Sequence, residues 1–336
     1  MKEVQEYIDR LLDASTYSFD YSNESLDQEL IYKAVTSSKY RKSKIDSITE
    51  EDIRSKIQQA LNCKKPLKFS VPFGAYKPWY FENEYSPNWS EVINVAYLLN
   101  YASQIASVYP YGVEVYYTTV NHLMYFVSDI SRDAALKYMS DFKKILNIFN
   151  SLSSNVCFHF IEINSFYESD EAFYIDFLNC FLDNLVFWDT KYDDETRNRH
   201  MKSSYHNLNP FGSREIGKRD ECVQERYYYY SALMTDAVDS LSKRRQFNKN
   251  EDKIQLVGVK GPGKSINIGS SFTSTTHFWV SDVVFMNNKN EIKPFLFTRS
   301  KMESIPKDRL IDFQVNSLFE DINKNYKKTK YYKEDS

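Results

Sequence analysis

Glycine is scarce in this chain, with 8 glycines among 336 residues. Four of them, Gly258, Gly261, Gly263 and Gly269, lie within residues 254–282. Glycine adopts backbone conformations that other residues avoid, and it lets the backbone approach a neighbour closely. Its concentration in an otherwise glycine-poor chain therefore marks 254–282 as the first stretch in which to look for a ligand site.

Cysteine is also sparse, and the chain has no CxxC pair. The four cysteines, Cys63, Cys157, Cys180 and Cys222, are scattered along the sequence, so no structural zinc site is predicted and reduced thiols are expected. No segment approaches the ~20 consecutive apolar residues of a membrane span. The first ten residues are charged from Lys2 onward and lack the apolar core of a signal peptide. We therefore expect a soluble, cytoplasmic protein with no membrane partner.

The chain has no excess of positive charge. Its net charge is −3 and its pI is about 6.0, which does not favour a general nucleic-acid-binding surface. Hydrophobic residues make up 42% of the chain, enough for a full core. The length allows one large domain or two of ordinary size. These totals favour a globular protein with a full core, in which a local basic patch remains open.

Apolar periodicity predicts alternating helices and strands along most of the chain. Helices are predicted over 1–15, 26–36, 49–61, 90–108, 132–149, 169–186, 221–245 and 303–325, with Thr49, Ser90 and Ser131 as caps. Strands are predicted over 68–71, 113–120, 156–163, 253–259, parts of 264–270 and 278–286, and 292–298. This order predicts an α/β fold with a mixed sheet.

The chain is expected to divide into three parts. Residues 1–65 form a helical N-terminal segment, residues 66–325 an α/β domain of catalytic type, and residues 326–336 a charged, frayed tail.

The glycine-rich stretch contains the phosphate-loop string Gly258-x4-Gly263-Lys264-Ser265. A true phosphate loop opens a helix, whose free N–H groups and dipole hold the phosphates. Here Ser265 is followed by Ile-Asn-Ile-Gly-Ser-Ser, which is poor helix-forming sequence, and Pro262 interrupts the loop. A nucleotide-binding hydrolase is therefore only the third hypothesis for this chain.

Two other interpretations of the same string stay open. One is a hairpin turn between two strands. The other is an anion-binding turn, in which Lys260 and Lys264 act together with the N–H groups of Gly261 and Gly263. The second interpretation predicts a small phosphate or carboxylate ligand.

Side chains outside the glycine-rich turn also qualify as site residues. His277 lies just before a predicted strand and has the chemistry of a general acid/base, although a half-buried structural histidine has the same local sequence. Lys77 lies between Tyr76 and Trp79 in a loop after a strand, where it either binds an anion or covers aromatic rings at the surface. Arg226 lies on the predicted helix 221–245, where a solvated charged face is the alternative to a groove.

Four short blocks, in order along residues 50–305, resemble the isocyanide synthase family of the pyoverdine-cluster and dityrosine-type biosynthesis group. They are Lys-Phe-Ser-Val-Pro-Phe-Gly-Ala-Tyr-Lys-Pro at 68–78, the segment 105–112 ending in Val-Tyr-Pro-Tyr-Gly, Lys-Ser-Ile-Asn-Ile-Gly at 264–269 with His-Phe-Trp-Val-Ser-Asp at 277–282, and Asn-Glu-Ile-Lys-Pro-Phe-Leu-Phe-Thr-Arg-Ser at 290–300. The chain departs from the family pattern at three points. The lysine loop lacks a following Ser-Pro-Asn, the second strand leads into Thr-Thr-Val-Asn-His in place of an Asp-Gly turn, and histidine precedes tryptophan.

The resemblance implies a Rossmann-like α/β fold and condensation of an amino acid's amine with the ketone of a sugar phosphate, leading to an isonitrile. It implies that Lys77, Lys264 and Arg299 contact anions, that His277 is the acid/base, and that Tyr76 and Trp279 are pocket walls. The complete set of predicted site residues is His277 and Lys77 as catalytic residues, and Tyr76, Trp79, Lys264, Ser265, Trp279, Arg226 and Arg299 as substrate-binding residues. We expect no cofactor and no metal.

A non-catalytic or RNA-binding protein is the alternative to an enzyme. Its basis is the two basic stretches 40–44 and 323–333 and the tyrosine run 227–230. For the enzyme, the expected partners are small molecules, an amino acid and a sugar phosphate. A homodimer is left open.

Overall fold

The computed structural model describes residues 2–13, 27–73, 86–119, 130–191, 193–196, 198, 252–257, 264–269, 281–289, 291–298, 301–302, 304–315, 317–319, 321–322 and 328–332. Its helices are α1 (Lys2–Asp13), α2 (Gln28–Val35), α3 (Ser47–Cys63), α4 (Trp89–Ala106), α5 (Arg132–Leu152) and α6 (Asp170–Lys191). Its strands are β1 (Leu67–Phe73), β2 (Val113–Thr119), β3 (Val156–Glu162), β4 (Lys253–Val257), β5 (Ser265–Asn267), β6 (Ser281–Asn288), β7 (Glu291–Thr298), β8 (Leu310–Gln314) and β9 (Lys328–Tyr332).

The first sheet is parallel throughout its described strands and has the order β3-β2-β1-β4-β5. The chain moves outward from β1 through β2 to β3, and then returns to the other side of β1 for β4 and β5. This is the winding of a Rossmann-like α/β fold. The α/β prediction, with flanking helices and a helical N-terminal segment, is therefore confirmed.

Helix α4 lies at the centre of the molecule, where it contacts α2, α5, β2, β3 and β6. Side chains on every side of α4 are buried, including Val92, Leu98 and Tyr101. A helix that is enclosed on all sides must be apolar on all sides, as the sequence of α4 is. Its few buried polar residues are concentrated in the first two turns, and these residues form the site described below.

The second sheet has the order β7-β6-β9-β8 and is mixed. Strands β6 and β7 form the predicted antiparallel hairpin, with Lys289 in the left-handed region at the turn (φ 53°). Strand β9 runs parallel to β6 and antiparallel to β8, so it occupies an inner position. The mixed sheet expected from the sequence is thus separate from the parallel sheet.

The helix predicted over 303–325 is wrong. Within that range the structure has the short 3₁₀ turn Lys307–Arg309 and strand β8, and β9 lies in the segment predicted to be a frayed tail. The apolar residues of β8 recur at a spacing that also fits a helix, and only pairing with β9 fixes them as a strand. Local pattern did not contain that information. The proposed division into three parts stays a prediction.

Two of the three predicted helix caps are wrong. The N-cap of α3 is Asp46, whose carboxylate accepts a hydrogen bond from the Thr49 N–H at 2.8 Å, and the N-cap of α4 is Asn88. The prediction of Ser131 as the cap of α5 is confirmed, since its hydroxyl accepts from the Ala134 N–H at 3.2 Å.

Strand β1 was predicted to end at Val71 but continues through Pro72 to Phe73. The described pairing with β4 covers 68–70 and stops before Pro72, while pairing with β2 continues to the end of the strand. A proline without an N–H is tolerated where a strand does not need that donor.

Among the helices that the structure describes, none combines the length and apolar character needed to cross a bilayer.

Candidate functional site at the carboxyl edge of the parallel sheet

Strands β1 and β4 are neighbours at the point where the strand order of the parallel sheet reverses. In open α/β sheets, ligands bind outside the carboxyl ends of the strands at such a reversal. Here those ends are Phe73 of β1 and Val257 of β4. The candidate site is therefore expected among the residues that border this edge.

The amino end of α4 borders the edge because α4 follows β1 in the chain. The Asn88 side chain accepts a hydrogen bond from the Ser90 N–H at 2.9 Å, and the Glu91 carboxylate accepts from the Asn88 N–H at 2.8 Å. This capping box engages the helix end and puts a negative charge at the positive pole of the helix dipole. The helix end is therefore not the open phosphate site of dinucleotide-binding folds, and an anion at this edge needs side-chain cations.

Glu91 is fully buried and also joins α4 to α5. The Tyr138 hydroxyl of α5 donates to Glu91 Oε1 at 2.5 Å, and the Tyr117 hydroxyl of β2 donates to Asn94 Oδ1 at 2.7 Å. Burial, with a further contribution from the charge of Glu91, raises the pKa of Tyr117 well above its usual value. Tyr117 therefore stays a neutral donor, and the edge of the sheet is held rigidly by buried hydrogen bonds.

The second sheet is joined to the same helix end. Asp282, near the start of β6, is buried and accepts a hydrogen bond from Asn88 Nδ2 at 3.1 Å, while its other oxygen lies 2.9 Å from Lys330 Nζ of β9. The indole N–H of Trp89 donates to the Thr329 hydroxyl at 3.2 Å. The start of β6 is thus fixed against the amino end of α4.

The end of β7 reaches the same place, since Thr298 pairs with Ser281, the first residue of β6. Four segments therefore begin or end at this part of the molecule: the one after β1, the one after β4, the one before β6 and the one after β7. Among the predicted site residues, Tyr76, Lys77 and Trp79 follow β1, His277 and Trp279 precede β6, and Arg299 follows β7. Those six residues, like Arg226, lie outside the described residues.

Lys264 and Ser265 are the two predicted site residues that the structure describes. Lys264 Nζ lies 3.5 Å from Asp52 Oδ1 of α3, and its side chain is 56% exposed. Ser265 is the first residue of β5. Both residues are at the amino end of β5, whereas the strand reversal creates its crevice at carboxyl ends.

The structure also decides between the interpretations of the phosphate-loop string. Ser265 begins a strand, so the helix of a phosphate loop is not there. Strands β4 and β5 pair in parallel, with Gln255 opposite Ser265, so the hairpin interpretation is wrong as well. Residues 258–263 lie outside the described residues, and the anion-binding turn stays a prediction.

Sequence reasoning missed the buried polar residues that hold the edge together. The capping box was visible as Asn88-Trp-Ser-Glu91, an N-cap residue followed three positions later by an acid. Asp282 closes the block 277–282, but nothing local identifies Lys330, 48 positions further along the sequence, as its partner.

Among the described residues, no group of three or more His, Cys, Asp or Glu side chains is arranged to hold a metal ion.

His159 is the histidine that falls within the described part of the chain. Its ring stacks on Tyr116 at a centroid distance of 4.5 Å, on the face of the parallel sheet that points away from Tyr117 and α4. Its Nε2 lies 3.8 Å from Glu114 Oε1. His159 is therefore remote from the amino end of α4.

The fold is similar to that of a solved protein. The crystal structure of the PvcA protein from Pseudomonas aeruginosa superposes with a TM-score of 0.65 and 11% sequence identity, covering 91% of this chain and 99% of PvcA. A comparison with protein-family models finds no match, and a comparison with curated protein sequences finds none either. The similarity is thus one of fold across nearly the whole of both chains.

Proposed function

We propose that this protein is a biosynthetic enzyme similar to the isocyanide synthases, which condenses the amine of an amino acid with the ketone of a sugar phosphate at the carboxyl edge of the parallel sheet. Two independent lines support the proposal. The ordered sequence blocks resemble that family, and the fold is similar to that of PvcA from Pseudomonas aeruginosa across nearly the whole of both chains.

One observation carries the proposal. The start of β6 is hydrogen-bonded to the N-cap of α4 through Asp282 and Asn88, and the end of β7 is paired with the start of β6. The segments 74–85 and 299–300 are more than 200 positions apart in sequence. They follow strands β1 and β7, whose ends lie at the same edge of the fold. These segments carry the lysine, aromatic and arginine residues that the sequence selects, and the histidine segment ends there too.

The condensation requires a positioned amine, a polarised ketone and a proton donor. The amine nitrogen forms a bond to the ketone carbon, and the oxygen leaves as water after protonation, which yields a carbon–nitrogen double bond. In our proposal His277 gives this proton and later accepts one from nitrogen. Lys77 and Arg299 hold the phosphate, because the amino end of α4 is closed by its own capping box.

Lys77→Met and Arg299→Met are each expected to weaken binding of ribulose 5-phosphate by about 10-fold to 100-fold. A hydrogen bond to a charged group contributes about 1.5–3 kcal/mol, which corresponds to this range. Isothermal titration calorimetry of the purified variants measures the effect. Lys68→Met is the matched control, because Lys68 lies near the amino end of the same strand and pairs with Asp252 at 2.6 Å.

Equal binding by Lys77→Met and the wild type would exclude Lys77 from the phosphate site. A large loss in Lys264→Met, with none in Lys77→Met, would instead place the phosphate beside β5.

The RNA-binding alternative is weakened by one contact: Lys330, part of the basic stretch 323–333, is paired with the buried Asp282.

A further inference from the structure

Thr119, the last residue of β2, has a buried hydroxyl with no hydrogen-bond partner among the described residues. The same is true of its neighbour Thr118. Buried polar groups in native proteins are nearly always paired, and each exception needs an explanation. One explanation is a ligand that supplies the partner.

The two hydroxyls lie on opposite faces of the sheet, because successive residues of a strand point in opposite directions. Thr119 shares its face with Tyr117, whose hydroxyl bonds to Asn94 of α4. That face is the one on which the amino end of α4 and the start of β6 meet. Thr118 shares the other face with Tyr116, and it points away from the candidate site.

Thr119 also stands in the last paired row of the sheet. Its neighbours across the sheet are Phe73, the final residue of β1, and Glu162, the final residue of β3. The Glu162 carboxylate is bound to Lys143 Nζ at 2.9 Å. The unpaired hydroxyl thus lies beside the end of β1, from which the segment containing Lys77 leaves.

The charge near Thr119 favours a neutral ligand group over an anionic one. The charge of Glu162, which pairs in register with Thr119, is offset by Lys143, but the buried Glu91 carboxylate is on the same face of the sheet, where its partner Tyr138 lies 6.0 Å from Phe73 between ring centroids. Carboxylates repel a phosphate or a second carboxylate. A hydroxyl group, which both donates and accepts, matches a threonine hydroxyl in this environment.

We infer that the Thr119 hydroxyl binds a hydroxyl group of a polyhydroxylated substrate, and so helps to select a carbohydrate over a simple ketone. This inference rests on the proposed function, since it assigns a residue to the sugar part of the proposed substrate. The two ends of that substrate are then bound by different parts of the protein. The phosphate is bound by cations of the loops, and the polyol lies against the end of β2.

The test compares Thr119→Val with Thr118→Val, two substitutions that keep the side-chain shape and remove a buried hydroxyl. Both ligand-free variants are expected to melt about 2 °C above the wild type, because each loses an unpaired buried polar group. Thr119→Val is expected to bind ribulose 5-phosphate about 10-fold more weakly by calorimetry. Thr118→Val is expected to bind it as the wild type does.

Unchanged binding by Thr119→Val, while the wild type binds, would overturn the inference and leave the proposed function standing. A lower melting temperature for Thr119→Val would also overturn it, because the hydroxyl would then have a partner within the protein. Failure of the wild type to bind any sugar phosphate would overturn the proposed function itself, and this inference with it.

Discussion

Lys330→Met is expected to lower the free energy of unfolding by about 3 kcal/mol. The substitution keeps the length and most of the volume of the side chain but leaves Asp282 buried without its cation. A buried charge whose partner is removed keeps its desolvation penalty and loses the interaction that offsets it. Two hydrogen bonds remain on Asp282, from Asn88 Nδ2 and from the Val283 N–H, and they limit the loss.

Chemical denaturation monitored by circular dichroism measures this effect. Lys2→Met is the control, because Lys2 forms a 3.5 Å pair with Glu6 while its side chain is 90% exposed, and exposed pairs contribute less than about 1 kcal/mol. The double variant Lys330→Met/Asp282→Asn is expected to recover part of the lost stability, since both charges are gone. A loss in Lys330→Met no larger than that in Lys2→Met would contradict the role given to the pair.

The same substitution should lower the rate of product formation, because Asp282 fixes the start of β6 against Asn88. The segment containing His277 ends at β6, so a looser β6 misplaces the proposed acid/base. Small displacements of a catalytic group are enough to lower rates strongly.

His277→Ala is expected to lower the rate of product formation by about 10²-fold to 10⁴-fold, the usual contribution of a general acid/base. Binding of ribulose 5-phosphate should change little, because the phosphate is assigned to Lys77 and Arg299. A lower rate with an unchanged dissociation constant is the pattern of a group that acts in the transition state.

His159→Ala provides the matched control for that experiment. Its ring stacks on Tyr116 on the opposite face of the sheet, so the variant should retain the wild-type rate. Equal rates for His277→Ala and the wild type would remove His277 from the mechanism. Equal losses in both histidine variants would point to a general effect on folding, which the denaturation curves would reveal.

The fold could be predicted from the sequence wherever local pattern determines it. The apolar periodicity of α4 and the β-branched and aromatic residues of β2 gave elements that agree with the structure to within two residues. The helix predicted over 303–325 failed because β8 depends on pairing with β9. The hairpin prediction for 258–265 failed because parallel and antiparallel neighbours look alike in a single sequence.

The framework of the candidate site could not be predicted from the sequence, and the choice of its loop residues stays a prediction. Lys77, His277 and Arg299 were selected from short blocks, and the structure adds that the described elements flanking those blocks meet at one edge. The contacts that bring them together, Asn88 with Asp282 and Asp282 with Lys330, join residues from distant parts of the chain. Such contacts follow from three-dimensional packing, and no local motif in a single sequence predicts them.

The most direct test of the central claim is mass spectrometry of a reaction that contains the purified protein, a panel of aromatic amino acids and ribulose 5-phosphate labelled with ¹³C at the ketone carbon. We predict an amino-acid product in which an isonitrile carbon carrying the label has replaced the two amine hydrogens. Both carbon–carbon bonds to that carbon must have broken, with one electron pair staying on it and the other leaving with a sugar fragment that takes up a proton. The absence of a labelled product with every amino acid, together with no binding of the sugar phosphate, would contradict it.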